Sequence, residues 1–540
     1  MDSILFWNAV ALEANRVSHS DPAKGEQTGP PLSSRALAIV HLAMYDAYAA
    51  ITGGAGFPRY LTAPATVPLP PPSPPGLLVA NAVAGAAHKT LSELYKAQRG
   101  YFDDQLSSFD TADPYFAFGA AVGDALLMFR AADPGVGDNG YMAHTGKYRH
   151  RADPDNSGQG YHAPFYGAQS KGFAVSVRHK LAAPPSGPGN AKYLEAFNQV
   201  RAKGIAPELT GTLPDPLFAD RRTPDETVIG IYWGYDGANR LGTPPRLYNQ
   251  IIRLVAEKQD NTEGDNARLF AFVNAAMADA GIFAWEQKYC HDFWRPILGV
   301  REQSESFGPG ATEGEDSISA EADPFWLPLG APNTNNTALK NFTPPFPAYP
   351  SGHATFGAAA FHITRLFYGV PSGDTSADNL FDELEFVSEE LNGVNRDNRG
   401  VVRPRHVRKF TDGLWQMILE NGLSRIYLGV HWIFDAFATH GDGSPDFTQN
   451  IGGVPLGLKI AEDIFKTGDE KAPKMTQSTS HSDPLDQPPV IKQPADVSGC
   501  ADKHEAMTKT KAKGKKAKDE ATTDDKQKVE TPFLSGTSRR

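Results

Sequence analysis

Apolar residues along this chain recur at three- and four-residue spacing in several long stretches, whereas strand-like alternation is weak and scattered. That periodicity predicts helices over 35–50, 80–95 and 114–132, with Gly53 and Gly54 stopping the first. A proline-rich segment, 68–75, separates the first two, because proline has no place in a helix interior. Residues 133–221 are rich in Gly, Pro, Asp and Tyr with few periodic runs. They predict a long irregular surface region, of the kind that often carries function. Helical spacing returns over 245–257, 266–289, 351–368 and 410–438. Within 266–289 small and apolar residues dominate, which suits a helix at the centre of a bundle.

The pattern predicts an all-α protein of two helical bundles with long Pro/Gly-rich loops, its active site in the C-terminal bundle. Expected boundaries are 1–215 for the N-terminal bundle and its loops, 216–466 for the second bundle and 467–540 for a disordered tail. Lys, Thr, Asp, Gln and Pro dominate that tail, and 509–518 holds only Lys, Ala, Gly and Thr, too little apolar area to fold. The chain has 540 residues, 40% of them hydrophobic, which is ample for a large core. A formal net charge of −11 argues against nucleic acid as a general partner. No apolar run is expected to reach the roughly 20 residues that a bilayer crossing needs, so no transmembrane segment is predicted. Two cysteines, Cys290 and Cys500, are too few for a disulfide framework. The N-terminus lacks the basic region and cleavage site of a secretory signal. A soluble protein of the cytoplasm is the default expectation, with export without a readable signal left open.

Three separated blocks carry the chemistry. Lys288 and Arg295 stand seven positions apart, ahead of Pro296, with Tyr289, Phe293 and Trp294 beside them. On one continuous helix the two cations would share a face. Alone the pair reads as a solvated charged surface, but the aromatics point to a partly buried, shaped site. Pro350-Ser351-Gly352-His353 marks a helix start, where a capping hydroxyl and backbone amides favour an anion. A plain capped helix reads the same way. In the third block, His431 and Asp435 are one turn apart, so the carboxylate can accept from the imidazole and fix its tautomer. A purely structural His–Asp pair is the alternative there. With Arg425, the blocks together supply three cations, a hydroxyl, a glycine amide and two imidazoles, the donor set that a tetrahedral oxyanion requires.

Lys-x6-Arg-Pro, Pro-Ser-Gly-His and Ser-Arg-x3-Gly-x-His-x3-Asp, all complete and in this order, resemble the signatures shared by vanadium-dependent haloperoxidases and the type 2 phosphatidic acid phosphatase superfamily. The sequence over 222–237, 278–285 and 344–356 is similar to the chloroperoxidase type, within a likeness covering 221–466. The resemblance implies His431 as axial ligand to the vanadium of orthovanadate, with Lys288, Arg295, Ser351, Gly352 and Arg425 holding equatorial oxygens. It implies His353 as the acid–base group, Asp236 as the carboxylate bracing Arg425, and Trp285 and Phe346 as the halide-side lining. An aromatic at 346, in place of His, resembles chloroperoxidases and not algal bromoperoxidases. The implied reaction oxidises chloride or bromide with hydrogen peroxide to hypohalous acid, which halogenates a small organic acceptor. Lys288 would polarise the peroxide, and vanadate, with no heme, would be the cofactor. The same donors would serve an acid phosphatase of the superfamily, with His431 as nucleophile and His353 protonating the leaving group. A non-catalytic oxyanion-binding protein is a third reading, which the presence of both imidazoles disfavours. Monomer and homo-oligomer are equally compatible with the sequence.

Overall fold

Residues 2–476, apart from 55, 64, 72–77, 188, 305 and 310–321, are described by a computed structural model. The N-terminal half holds α1 (Ser3–Ser18), α2 (Gly29–Thr52), α3 (Leu78–Leu94), α4 (Arg99–Asp104), α5 (Pro114–Phe129), α6 (Tyr166–Gln169) and α7 (Ala191–Lys203). The second half holds α8 (Pro224–Tyr232), α9 (Pro244–Lys258), α10 (Glu263–His291), α11 (Pro296–Arg301), α12 (Gly352–Phe367), α13 (Gly413–Tyr427), α14 (Ile433–Ala436) and α15 (Gly453–Thr467). The only strands among the described residues are two residues long, Ala438–Thr439 paired antiparallel with Pro445–Asp446. The chain is all-α, as its periodicity requires.

Helix α10 is the axis of the molecule. Thr262 and Asp265 close its N-terminus reciprocally, each side chain accepting from the other's backbone N–H at 3.2 Å. It ends at Asp292, whose positive φ of 48° carries the chain out of the helix. Helices α2, α12 and α15 pack around it, so one apolar core runs through both halves. Against expectation, α10 is long and apolar enough to cross a membrane by length and composition. However, 94% of its most apolar stretch is buried inside the protein. A helix apolar all round suits such a buried axis.

Other differences are local. The helix expected over 410–438 is broken: α13 ends at Tyr427, Gly429 turns with φ 73°, and α14 begins only at Ile433. Helix α7 lies inside the segment read as irregular. Its apolar contacts, Tyr193, Ala196, Phe197 and Val200, keep helical spacing, but the run is short and otherwise polar. Helices α1 and α15 were likewise not legible. Residues 468–476 still belong to the folded body, since Arg268 donates to the carbonyls of Glu470 and Lys471. The rest of the expected tail, 477–540, lies outside the described residues, as does part of the proline-rich segment.

Packing of α15 against α12 decides where the Pro-Ser-Gly-His turn sits. At Gly457 a Cβ would lie 2.5 Å from the Thr355 carbonyl oxygen and 2.7 Å from the Ala358 Cβ, so the two backbones meet without side chains between them. Gly457→Val should therefore force the helices apart, costing about 1–3 kcal/mol. Denaturant unfolding of the variant checks this, and an unchanged midpoint would contradict the close approach.

Candidate active site

Four chain segments converge at one end of the α10–α12 pair: the last turn of α10, the first turn of α12, the 428–432 loop after α13 and the 234–237 loop after α8. Pro344, Pro345, Pro347 and Pro350 hold the run before α12 out of helical and ladder pairing. Its carbonyls are left to accept from side chains, and the site uses them. The Lys288 ammonium donates to the carbonyls of Pro347, Ala348 and Pro350 at 2.9, 3.1 and 2.5 Å. Arg295 Nε donates to the Phe346 carbonyl at 2.8 Å, and Nη1 to that of Val430 at 2.7 Å.

Lys288 and Arg295 do not share a helix face. Helix α10 ends between them, and Arg295 stands as the cap before α11. The turn at Asp292 brings the guanidinium round to His431 instead. Arg295 Nη1 lies 2.8 Å from His431 Nε2. Arginine has only N–H donors, so Nε2 must be the acceptor and carry the lone pair. His431 Nδ1 then carries the proton and donates to Asp435 Oδ2 at 2.7 Å, an oxygen that also accepts from the Trp432 N–H. This relay leaves a neutral imidazole whose Nε2 lone pair faces the Arg295 guanidinium. Burial, then Arg295, lowers the His431 pKa well below its ordinary value. Burial raises that of Asp435 to about 7.

Arg425 leaves the last turn of α13 and is held by both oxygens of Asp236 at 3.0 and 2.7 Å. A bidentate pair fixes the guanidinium plane. His353, in the first turn of α12, donates from Nε2 to the Gly234 carbonyl at 2.8 Å, with Asp236 at 3.9 Å. Burial and then Arg425 lower its pKa to about 4. Ser351 caps α12, its hydroxyl accepting from the Ala354 N–H at 3.4 Å, while its own N–H donates to the Asp435 carbonyl at 2.8 Å.

Beside these groups lies a pocket of about 160 Å³, whose lining includes Trp285, Phe346, Gly352, His353, Arg425, His431 and Asp236. The Trp285 and Phe346 rings stand 4.8 Å apart and form one wall. The positive charge concentrated here is the feature an anion would answer. Burial, then Arg295, drives the Lys288 pKa well below the usual ammonium range, and burial takes Arg295 down to about 9. Arg295 Nη2 and Arg425 Nε are buried and have no hydrogen-bond partner. Unmet cationic donors, a capped helix start and an imidazole lone pair engaged by a guanidinium N–H fit a tetrahedral oxyanion.

The structure thus brings every residue singled out in the sequence to one locus, with one difference of detail. The three hydrogen bonds of Lys288 run to backbone carbonyls and not into the pocket. Sequence reasoning missed the Gly234 carbonyl and His162, which also lines the pocket. The only signal for His162 was its place in the long Gly/Pro-rich segment.

Two family models match the chain, one described as the vanadium chloroperoxidase N-terminal domain over residues 1–172 and one as the VCPO second helical-bundle domain over 268–444. The chain is 38% identical to a vanadium chloroperoxidase of Curvularia inaequalis over an alignment of 600 residues, covering 91% of this chain and 94% of that protein. Its fold is similar to that of a holo-type bacterial vanadium-dependent chloroperoxidase, with a TM-score of 0.57 at 14% identity, covering 85% of this chain and 96% of the other. A bacterial vanadium-dependent iodoperoxidase gives 0.56 at 18% identity over the same shares. With a relative this similar over nearly its whole length, the chain belongs to the vanadium chloroperoxidase family.

Proposed function

We propose that this protein is a vanadate-dependent haloperoxidase that uses hydrogen peroxide to oxidise chloride and bromide to hypohalous acid, which halogenates small organic acceptors. One observation carries the reading: His431 presents an Nε2 lone pair among buried, incompletely satisfied cations, at the floor of a pocket with an aromatic wall. His431 would hold vanadium through Nε2, with Arg295, Arg425, Ser351 and the Gly352 amide around the oxygens. When bound, vanadate supplies a fully oxidised Lewis-acidic centre at which peroxide becomes electrophilic towards halide.

The remaining work belongs to side chains. Asp435 keeps His431 in the tautomer with its lone pair on Nε2. Asp236 keeps the Arg425 plane fixed against the pocket. Lys288, 5.0 Å from the Phe346 ring centre, contributes positive charge from beneath the wall. In a site shielded from water that charge acts at low effective dielectric. With its Nε2 proton held by Gly234, His353 is neutral and exposes an acceptor at Nδ1, suited to take a proton from incoming peroxide. Trp285 and Phe346 limit water on the halide side.

Protein stripped of metal should be inactive and recover with orthovanadate, and excess phosphate should slow the recovery because both oxyanions need the same donors. Halogenation of a phenol, assayed during reconstitution, measures this. Activity that tracks iron, or survives stripping, contradicts the reading.

His431→Ala should abolish vanadate binding. His353→Ala should retain binding and lose about 10²–10⁴-fold in turnover, the usual worth of a positioned proton-transfer group. Titration of vanadate alongside steady-state kinetics separates the two, and equal vanadate affinity in wild type and His431→Ala would refute the ligand assignment.

A further inference from the structure

The haloperoxidase reading leaves one buried carboxylate beside the site unused. Glu390, in the short turn Glu389–Leu391, is 0% exposed and reaches the 234–237 loop that carries Asp236 and the Gly234 carbonyl. Its Oε1 accepts the Tyr235 N–H at 3.2 Å, while Oε2 accepts from Arg403 Nη1 at 2.6 Å and from the Thr334 hydroxyl. Arg403 Nη1 also donates to the Thr334 oxygen at 2.7 Å, which leaves that hydroxyl's proton for Glu390. All three partners are donors, so the group serves as a carboxylate. Burial raises its pKa, and Arg403 opposes the rise.

Packing alone does not call for this charge. Two neighbours already clamp the loop: the Ser388 hydroxyl donates to the Tyr232 carbonyl at 2.7 Å, and the Glu389 N–H donates to the Tyr235 hydroxyl at 3.0 Å. A buried ion pair roughly breaks even against apolar residues of similar volume. The chain nevertheless makes way for this one. A Cβ at residue 234 would lie 2.7 Å from Glu390 Oε1, so glycine lets the carboxylate reach the backbone. Tyr235 is held at φ 52°, unusual for a side chain of its size, in the conformation that gives its N–H to Glu390.

The peptide unit joining Gly234 to Tyr235 links this carboxylate to the chemistry. Its N–H donates to Glu390 Oε1, and its C=O accepts from His353 Nε2 at 2.8 Å. A trans peptide is planar and conjugated, with its N–H and C=O pointing in opposite directions. A carboxylate on the N–H therefore pushes electron density toward the oxygen and strengthens the hydrogen bond beyond it, as in other polarised chains. We propose that Glu390 is a positioning residue for His353, acting through the 234–235 peptide to hold the Nε2 proton and make Nδ1 a better proton acceptor. The proposal rests on the haloperoxidase reading for what His353 does in turnover, while the hydrogen-bond chain itself is testable without it.

Glu390→Gln keeps the shape and an acceptor for Tyr235 but removes the charge. Combining it with Arg403→Leu removes both charges and leaves no buried cation unpaired. In NMR of isotope-labelled, vanadate-free protein, His353 should show a downfield Nε2 proton, identified by its loss in His353→Ala. That signal should move upfield in both Gln variants. In vanadate-loaded enzyme kcat should fall about tenfold, a fraction of the roughly 10²–10⁴-fold worth of a positioned proton-transfer group, with vanadate affinity unchanged. A merely structural loss would also displace Asp236, and with it the brace on Arg425 and vanadate binding. Vanadate affinity that falls in parallel with kcat, or an unmoved proton signal in a folded variant, would overturn the proposal. Should neither variant fold, the wild-type Tyr235 amide and His353 Nε2 protons decide: both downfield and protected from exchange supports the chain, and either one in its ordinary range overturns it. A signal that shifts as expected in a protein without vanadate-dependent turnover would overturn the haloperoxidase reading and leave the chain from Glu390 to His353 standing.

Discussion

Burying cations around one imidazole is the constraint on which this site depends. Lys288, Arg295 and Arg425 are each no more than 1% exposed, and isolated buried charges of this kind cost several kcal/mol each. The fold answers with oxygen. The proline-rich run before α12 supplies carbonyls to Lys288 and Arg295, and Asp236 takes the guanidinium of Arg425. What these acceptors leave unmet is directional: one Nη2 on Arg295 and the Nε of Arg425. The compensation is nearly complete for Lys288 and incomplete for the two arginines. That asymmetry leaves, in a packed cluster of charge, donors that an anion would satisfy.

The Arg295–His431–Asp435 relay has a second consequence. A donor that cannot accept sits on one ring nitrogen, and a carboxylate sits on the other. The imidazole is thereby oriented before any ligand arrives, and little reorganisation is needed on binding. Asp435 also takes the Trp432 N–H and offers its own carbonyl to Ser351. One residue therefore ties the loop that carries His431 to the capped start of α12. The aromatic wall of the pocket is built from a different source. Trp285 comes from the central helix, Phe346 from the proline-rich run and His162 from the N-terminal half, so this wall of the pocket lies where the two halves meet.

Much of this was present in the chain itself. Helical periodicity gave the all-α class and most long helices, and the three blocks named the cations, the capping serine and the two imidazoles. The spacing of His431 and Asp435 gave their contact even though no continuous helix joins them, because a short helical turn satisfies a four-residue spacing as well as a long one. Conversely, the seven-residue spacing of Lys288 and Arg295 suggested a shared face that does not exist, since the turn at Asp292 intervenes. A local spacing survives such a break only when both residues lie on one side of it.

The sequence by itself determined which groups carry charge, which can donate and which segments can be helical, because these follow from residue type and period. Only the tertiary structure decided which donors remain unmet. That is a matter of partners brought from 51 to 189 positions away: the 344–350 carbonyls for Lys288 and Arg295, and Asp236 for Arg425. It also placed His162 against Trp285 and Phe346 through three backbone hydrogen bonds that no pattern in the chain encodes. Hydrogen-bond satisfaction is a property of the assembled neighbourhood. The sequence supplies its members, and packing decides which of them are left free to act.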